Sequence, residues 1–297
     1  MMVVKVKEGY WMIRTIRSGK VIERSQFYVG ERRPRQGRRK GSSTLSKKDN
    51  NMNQACRRLA RVINCNFGKG DIFMTLTYDE KHLPGSIEDA NKQCTLFFRR
   101  LSRVLGEITP RYIWSTSESD TSEEGKVRLH HHIVISSEGF DLKWQGNKLI
   151  SCSIGGKLIE KIWKNGLVNI EPLREQDDYA SIAAYIVRQS KVEADDKKWH
   201  SSRNLKKPVI ESEKISGTPH ELRPPCGATV LEMSSFDIEN GAHYIRYIRK
   251  AKDNDVREVQ TPEGTVYENA VGDKRIPEAE SRVRRASSWR QQRRRRR

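Results

Sequence analysis

The spacing of apolar residues changes repeatedly along the chain between the pattern of a strand and that of a helix. Residues 72–78 are apolar on both faces of an extended segment, which predicts a strand inside a sheet. Residues 96–105 carry apolar side chains at helical spacing, which predicts a helix that begins after a capping Ser86. The other predicted elements are a hairpin over 10–28, helices over 51–66, 158–163 and 178–192, and strands over 112–118, 128–136, 167–170, 230–233 and 244–248. This mixture indicates an α+β fold.

Two segments combine many basic residues with few apolar ones. Residues 31–50 hold eight lysines and arginines together with glycine and proline, which predicts a flexible basic linker whose Arg38 and Arg39 lie on phosphates. Residues 282–297 hold nine arginines and no acid, and apolar residues become sparse from residue 251 on. We therefore expect a disordered basic tail over 251–297.

The charge of the whole chain points to a polyanionic partner. The net charge is +19, and removing the nine arginines of the tail still leaves +10. A body with this excess of lysine and arginine is typical of a nucleic-acid binder. The alternative is a basic surface that is merely solvated.

The remaining composition excludes several classes of protein. No stretch reaches the roughly 18 apolar residues that cross a bilayer, and the first residues lack the apolar segment of a signal peptide. The sequence therefore predicts a cytoplasmic protein. The five cysteines are odd in number and include no Cys-x-x-Cys pair, which indicates neither a disulfide scaffold nor a structural zinc site.

Three consecutive histidines open the apolar, β-branched strand over 128–136. Because side chains alternate along a strand, His130 and His132 share one face and His131 points to the other. Two imidazoles on one strand face can bind one divalent cation. The strand over 112–118 precedes this segment after a short loop, so a hairpin would bring Glu118 near His130. The alternative is a group of hydrogen-bonded core histidines.

The helix over 178–192 presents a second candidate. Tyr179, Ile182, Ala183 and Ile186 repeat at helical spacing and form its packing face, whereas Tyr185 lies off that stripe. Arg188 and Gln189 follow Tyr185 by three and four residues and share its face. A phenol with a nearby cation can attack a phosphodiester, because the cation favours the phenolate and offsets charge on the phosphoryl oxygens. The alternative is a packing aromatic.

Three segments in this order resemble the motifs of HUH-type rolling-circle replication initiators. They are residues 73–77, the histidines 130–132 and residues 185–188. The resemblance is to replication-associated proteins of single-stranded DNA phages and mobile elements, including the filamentous-phage gene II type. It covers about residues 70–250, because residues 203–208 also resemble a segment common in that group.

The resemblance implies a central antiparallel sheet that carries the histidines between flanking helices. His130, His132 and Glu118 would hold Mg²⁺ or Mn²⁺, which suit oxygen and nitrogen ligands with open positions. Tyr185 would attack the scissile phosphate, leaving a 5′-phosphotyrosine and a free 3′-OH. Asp120 is an alternative to Glu118, since both are where the strand ends.

The sequence departs from the family pattern in two places. A lysine usually follows the tyrosine by three residues, whereas this chain has Arg188, with Lys191 as a competing candidate. His131 occupies a position that is usually apolar. Tyr179 lies about 240° round the helix from Tyr185, so we predict an enzyme with one catalytic tyrosine.

The sequence therefore predicts a nickase and strand transferase that initiates rolling-circle replication. Its predicted regions are an N-terminal hairpin and linker over 1–50, a nickase core over 51–192, an accessory β and loop region over 193–250, and the tail over 251–297. Arg203, Lys206 and Lys207 would add DNA contacts. The expected partners are single-stranded or supercoiled origin DNA and the host helicase and polymerase, in the host cytoplasm if a phage encodes the protein.

Two other functions remain open from the sequence. A relaxase or a transposase would use the same chemistry. A basic, non-catalytic nucleic-acid-binding protein would keep its histidines as structural residues.

Overall fold

The computed structural model describes residues 9–30, 44–120, 127–145, 148–190, 198–215, 221–236, 242–249, 256–261 and 264–269. In chain order the elements are β1 Tyr10–Ser18, β2 Val21–Val29, α1 Thr44–Asn66, β3 Ile72–Thr77, α2 Ile87–Leu105, β4 Tyr112–Asp120, β5 Val127–Ile135, β6 Asp141–Gln145, β7 Lys148–Ile154, β8 Lys157–Leu158, α3 Ile159–Trp163, β9 Val168–Pro172, α4 Ala180–Gln189, β10 His200–Ser201, β11 Val209–Ile215, β12 Thr229–Phe236, β13 Ala242–Ile248, β14 Val256–Thr261 and β15 Gly264–Asn269. The fold is α+β, as predicted.

A five-stranded antiparallel sheet, here named the central sheet, has the order β10-β4-β5-β3-β9. The histidine strand β5 is its middle strand. Helices α2 and α3 pack on one face, where Phe97 and Trp163 are fully buried. Helices α1 and α4 pack on the other face, where Leu59, Ile63 and Ile186 are fully buried. The sheet is therefore enclosed by helices on both faces, which leaves its strand ends to form a site.

A second five-stranded antiparallel sheet, here named the accessory sheet, has the order β11-β1-β2-β13-β12. It joins the N-terminal hairpin to strands from residues 209–248, two regions that the sequence analysis placed in separate domains. Pairing between strands about two hundred residues apart leaves no local pattern in the sequence. One face of this sheet is apolar, with Ile13, Ile22 and Ile245 packed beside Leu222.

Helix α1 connects the two sheets through polar contacts. Arg61 makes two hydrogen bonds of 2.8 and 2.6 Å to the carboxylate of Glu23, which is only 4% exposed. Tyr244 on β13 donates to the same carboxylate at 2.9 Å. Arg246 on β13 also pairs at 2.6 Å with Asp178, just before α4. Buried ion pairs fix one geometry because each charge loses its compensation when its partner moves away.

Several predicted boundaries differ from those observed. Ser86 caps α2 as predicted, with its hydroxyl accepting from the backbone N–H of Asp89 at 3.1 Å. Helix α1 begins seven residues before its predicted start at residue 51, in a polar stretch without an apolar stripe. The structure also pairs β14 with β15 inside the segment for which composition predicted disorder. Arg38, Arg39 and the arginines of 282–297 lie outside the described residues. None of the helices in the described ranges is long and apolar enough to span a membrane.

Candidate active site

His130 and His132 lie side by side on the α4 face of the central sheet. The register pairs His130 with Ser117 and Thr77, and His132 with Ser115 and Thr75. The two Nε2 atoms are 3.0 Å apart, and the imidazoles are 9% and 2% exposed. The predicted sharing of a face is therefore observed, and both rings direct Nε2 to one point.

His131 points to the other face and has a different environment. Its Nε2 lies 2.7 Å from the hydroxyl of Tyr78, and its Nδ1 lies 3.0 Å from that of Thr116. The ring is fully buried, and burial, with the neighbouring histidines, lowers its pKa to about 3. His131 is therefore a neutral, hydrogen-bonded core residue, which explains how a histidine can occupy a position that is usually apolar.

Helix α4 places Tyr185 against the histidine pair. The ring centroids of Tyr185 and His132 are 4.8 Å apart, and Phe73 lies beside both, at 6.1 and 5.7 Å. Tyr185 is 44% exposed although its neighbour Ile186 is fully buried. The predicted packing stripe explains the difference, because it turns Ile186 into the core and leaves Tyr185 at the edge of the site.

Gln189, one turn after Tyr185, also reaches the histidines. Its Oε1 lies 3.2 Å from the Nε2 of His132. The sequence analysis placed Gln189 on the face of Tyr185 but gave it no role. The signal was the spacing of four residues, which aligns an amide oxygen with the phenol on one helix face.

The structure does not bring Glu118 to the histidine pair. The register pairs Glu118 with Leu129, so Glu118 lies on the face of His131, opposite to that of His130 and His132. Asp120 follows two positions later in the same strand, paired with Val127. Strand alternation is the reason, because an adjacent strand puts alternate residues on the histidine face. Ser115 and Ser117 are the β4 residues on that face.

The donors around His130 and His132 suit a divalent ion. Two ligands about 2.1 Å from one ion lie about 3 Å apart when they meet it at a right angle, close to the observed 3.0 Å between the Nε2 atoms. Burial lowers the pKa of His130, and it lowers that of His132 to about 4, so both rings are neutral, the form that binds metals. Within the described ranges no three His, Cys, Asp or Glu side chains converge. The third nearby donor is therefore the amide of Gln189.

Two buried hydroxyls support the same assignment. The Oγ atoms of Ser115 and Ser117 are buried and have no hydrogen-bond partner. Buried polar atoms are usually paired, and exceptions mark ligand or water sites. These two hydroxyls belong to the residues opposite His132 and His130, so the polar atoms of this face are arranged for a bound species.

The predicted basic residues have different positions. Arg188 is exposed, one turn from Tyr185 on α4, whereas Lys191 lies outside the described residues. Arg203, Lys206 and Lys207 are exposed in the loop after β10, whose backbone is bonded to Tyr112 at the start of β4. His130 pairs five residues further along that strand, roughly 16 Å away by strand rise. These three residues are therefore not part of the histidine site.

The part of the chain that carries the site has known relatives. Residues 71–190, here named the family segment, match the family of the replication-associated protein ORF2/gene II protein. The match confirms the resemblance inferred from the motifs and supports a role as a replication initiator, which binds DNA. His130, His132, Tyr185 and Gln189 all fall inside the family segment, and every strand of the accessory sheet falls outside it. Comparison with curated proteins and with solved structures gives no significant match.

Proposed function

We propose that the protein is a metal-dependent endonuclease that nicks single-stranded DNA and starts rolling-circle replication through a 5′-phosphotyrosine. The observation that carries the proposal is the contact of the Tyr185 ring with His132, whose Nε2 meets that of His130. A nucleophile and a pair of metal ligands, from segments more than fifty residues apart, are thus adjacent at the edge of one sheet.

The proposed reaction exchanges one phosphodiester oxygen for another. The phenolic oxygen of Tyr185 forms a bond to phosphorus, the bond from phosphorus to the 3′-oxygen breaks, and the departing oxygen takes up a proton in place of the one the phenol loses. The number of phosphoester bonds is unchanged, so the reverse reaction can rejoin a strand. The free 3′-OH is the primer that a host polymerase would extend.

The side chains have separate roles in this proposal. His130, His132 and Gln189 would hold Mg²⁺ or Mn²⁺. The bound ion would polarise the scissile phosphate. Arg188 stays charged at every relevant pH and can bind two phosphoryl oxygens at once, so it would neutralise charge that builds during attack. Phe73 packs beside Tyr185 and His132, which limits the directions that the phenol can take.

Covalent attachment to DNA tests the proposal. The protein is incubated with single-stranded origin DNA and Mn²⁺, and a denaturing gel is examined for a shifted protein band. Wild type should give the band, a chelator should remove it, and Tyr185→Phe should abolish it while leaving DNA binding intact.

Tyr179→Phe is the matched control. Tyr179 adjoins the same helix but is buried, and its hydroxyl donates to the backbone oxygen of Arg174 at 3.0 Å. This variant should still form the adduct. An adduct that persists in Tyr185→Phe would refute the proposed nucleophile, and binding without any adduct in wild type would indicate a non-catalytic binding protein.

A further inference from the structure

The two faces of the accessory sheet differ in charge. On the edge strand β11, Glu211 pairs with Thr15 and Glu213 with Ile13, so both acids lie on the apolar face beside Leu222. Lys214 pairs with Met12 and therefore lies on the opposite face. That opposite face, here named the aromatic face, also carries Tyr10, Arg14, Phe27 and Tyr244.

Three cations on the aromatic face each lie over a ring. The Nζ of Lys214 is 4.8 Å from the ring centre of Tyr10. The guanidinium of Arg14 is 5.1 Å from that of Phe27, and the guanidinium of Arg57, on α1, is 5.0 Å from that of Tyr244. The rings belong to β1, β2 and β13, which are neighbours in the sheet. At about 4.8 Å per strand, the row extends roughly 10 Å from the first ring to the last.

The aromatic face remains accessible within the part of the chain that the structure describes. Arg14 and Lys214 are exposed, and the rings of Tyr10, Phe27 and Tyr244 are only partly buried. Helix α1 packs near one end, where Arg61 bonds Glu23 and Arg57 bonds Glu232 at 2.5 Å. These two acids are each paired with an arginine, so they do not reverse the positive charge of the face.

Cation–aromatic pairs alone would stabilise a surface by about 0.5–1 kcal/mol each. That role does not explain why three such pairs occupy one face while the acids of β11 occupy the other. Proteins that bind single-stranded nucleic acids combine cations that contact the backbone with rings and guanidinium groups on which bases stack. Both kinds of group are present here, in one row.

We propose that the aromatic face binds single-stranded DNA, with bases stacked on Phe27 and its neighbours and phosphates bound by Arg14 and Lys214. The surface is separate from the histidine site and lies outside the family segment. It would hold the strand near the nickase core whether or not that strand is cut. A duplex would contact the same cations but could not stack, because its base faces are already covered.

Fluorescence anisotropy of labelled single-stranded DNA, in the presence of a chelator, measures this binding without any nicking. Phe27→Leu keeps an apolar side chain on the sheet but removes the ring. Since stacking contributes about 1–3 kcal/mol per base, the Kd should rise about tenfold. Phe27→Tyr keeps the ring and should bind like wild type.

Neighbouring residues provide matched controls on the other face. Tyr28 follows Phe27 in the same strand and is 56% exposed, so Tyr28→Leu should leave the Kd unchanged. Arg14→Gln should weaken binding and reduce its dependence on salt by about one phosphate contact. Arg17→Gln, whose arginine lies on the opposite face beside Glu211, should do neither.

Two results would overturn the proposal. One is equal binding by wild type and Phe27→Leu, and the other is an equal loss in Phe27→Leu and Tyr28→Leu. A tenfold loss for a duplex as large as that for the single strand would also overturn it, since it would show that phosphate contacts and not stacking are involved. None of these results depends on the covalent adduct, so failure of the nickase proposal would be seen separately.

Discussion

The side-chain oxygen of Asn64 accepts a hydrogen bond of 2.8 Å from the backbone N–H of Tyr179, at the start of the helix that carries Tyr185. Its Nδ2 donates to Asp178 at 2.9 Å. Gly19 lies against the backbone carbonyl of Asn64, where any Cβ would collide with it. Helix α1 therefore fixes the beginning of α4, and through α4 the position of the phenol relative to the histidines.

Asn64→Leu should slow adduct formation more than its effect on stability explains. The substitution removes a bond to a helix N-terminal N–H and leaves Asp178 with one partner fewer, which should cost about 2 kcal/mol of unfolding free energy. Because α4 then loses its anchor, the rate of adduct formation per folded molecule should fall about tenfold. Single-turnover kinetics and urea unfolding measure the two effects.

Asn66→Leu is the control for this prediction. Asn66 is on the same helix but bonds the backbone of Lys206, at 2.8 and 2.7 Å, and not α4. It should lose similar stability and keep its rate. Equal rates in the two variants would contradict the anchoring role of Asn64.

Gln189 should affect metal affinity, whereas Glu118 should not. Gln189→Ala removes the oxygen nearest to the imidazoles and should weaken Mn²⁺ binding about tenfold, and Gln189→Glu should strengthen it because a carboxylate is the better ligand. Glu118→Gln should leave Mn²⁺ binding unchanged, since the register puts Glu118 on the other face. Calorimetric titration with Mn²⁺ measures all three. A loss in Glu118→Gln alone would mean that its carboxylate reaches round the end of the strand.

The sequence was sufficient for the features that depend on local periodicity. Alternation along β5 separated His130 and His132 from His131, and the helical stripe of α4 left Tyr185 at the surface. Both follow from the repeat of one element, which any segment of ten residues contains.

Features that depend on pairing between distant segments could not be predicted. The choice of Glu118 over Gln189 followed from their distance along the chain and not from the register of β4 with β5. The accessory sheet escaped detection because its edge strand β11 is almost wholly exposed, so it carries no apolar alternation. Its charged residues favour solvent on both faces, and only its neighbour β1 identifies it as a strand.

Tyr78→Phe should destabilise the protein without changing its metal site. The hydroxyl of Tyr78 is 2.7 Å from the Nε2 of His131, in a core where neither group is exposed to solvent. Removing it leaves a buried nitrogen without its partner, at a cost of about 2 kcal/mol. Urea unfolding should show this loss, and Mn²⁺ titration should give the wild-type affinity. A weakened Mn²⁺ affinity would show that His131 sets the positions of its two neighbours.

Glu23 should make the protein sensitive to acid. Burial alone would raise the pKa of this carboxyl, but the hydrogen bonds and charge of Arg61, with the hydroxyl of Tyr244 and the charge of Arg246, lower the pKa below its ordinary value of 4.5. A group with a lowered pKa in the folded state contributes full stability above its unfolded pKa and loses that contribution as the pH falls through the folded pKa. The unfolding free energy should therefore decrease below about pH 4.5.

Glu23→Gln tests this dependence. The amide cannot titrate, and it leaves the partly buried Arg61 without a counter-charge, so the free energy of unfolding at neutral pH should fall by about 3 kcal/mol. The difference between wild type and variant should then shrink as the pH is lowered past 4.5. Urea unfolding at several pH values measures it. A difference that stays constant over that range would show that Glu23 stabilises the two sheets by packing and not by its charge.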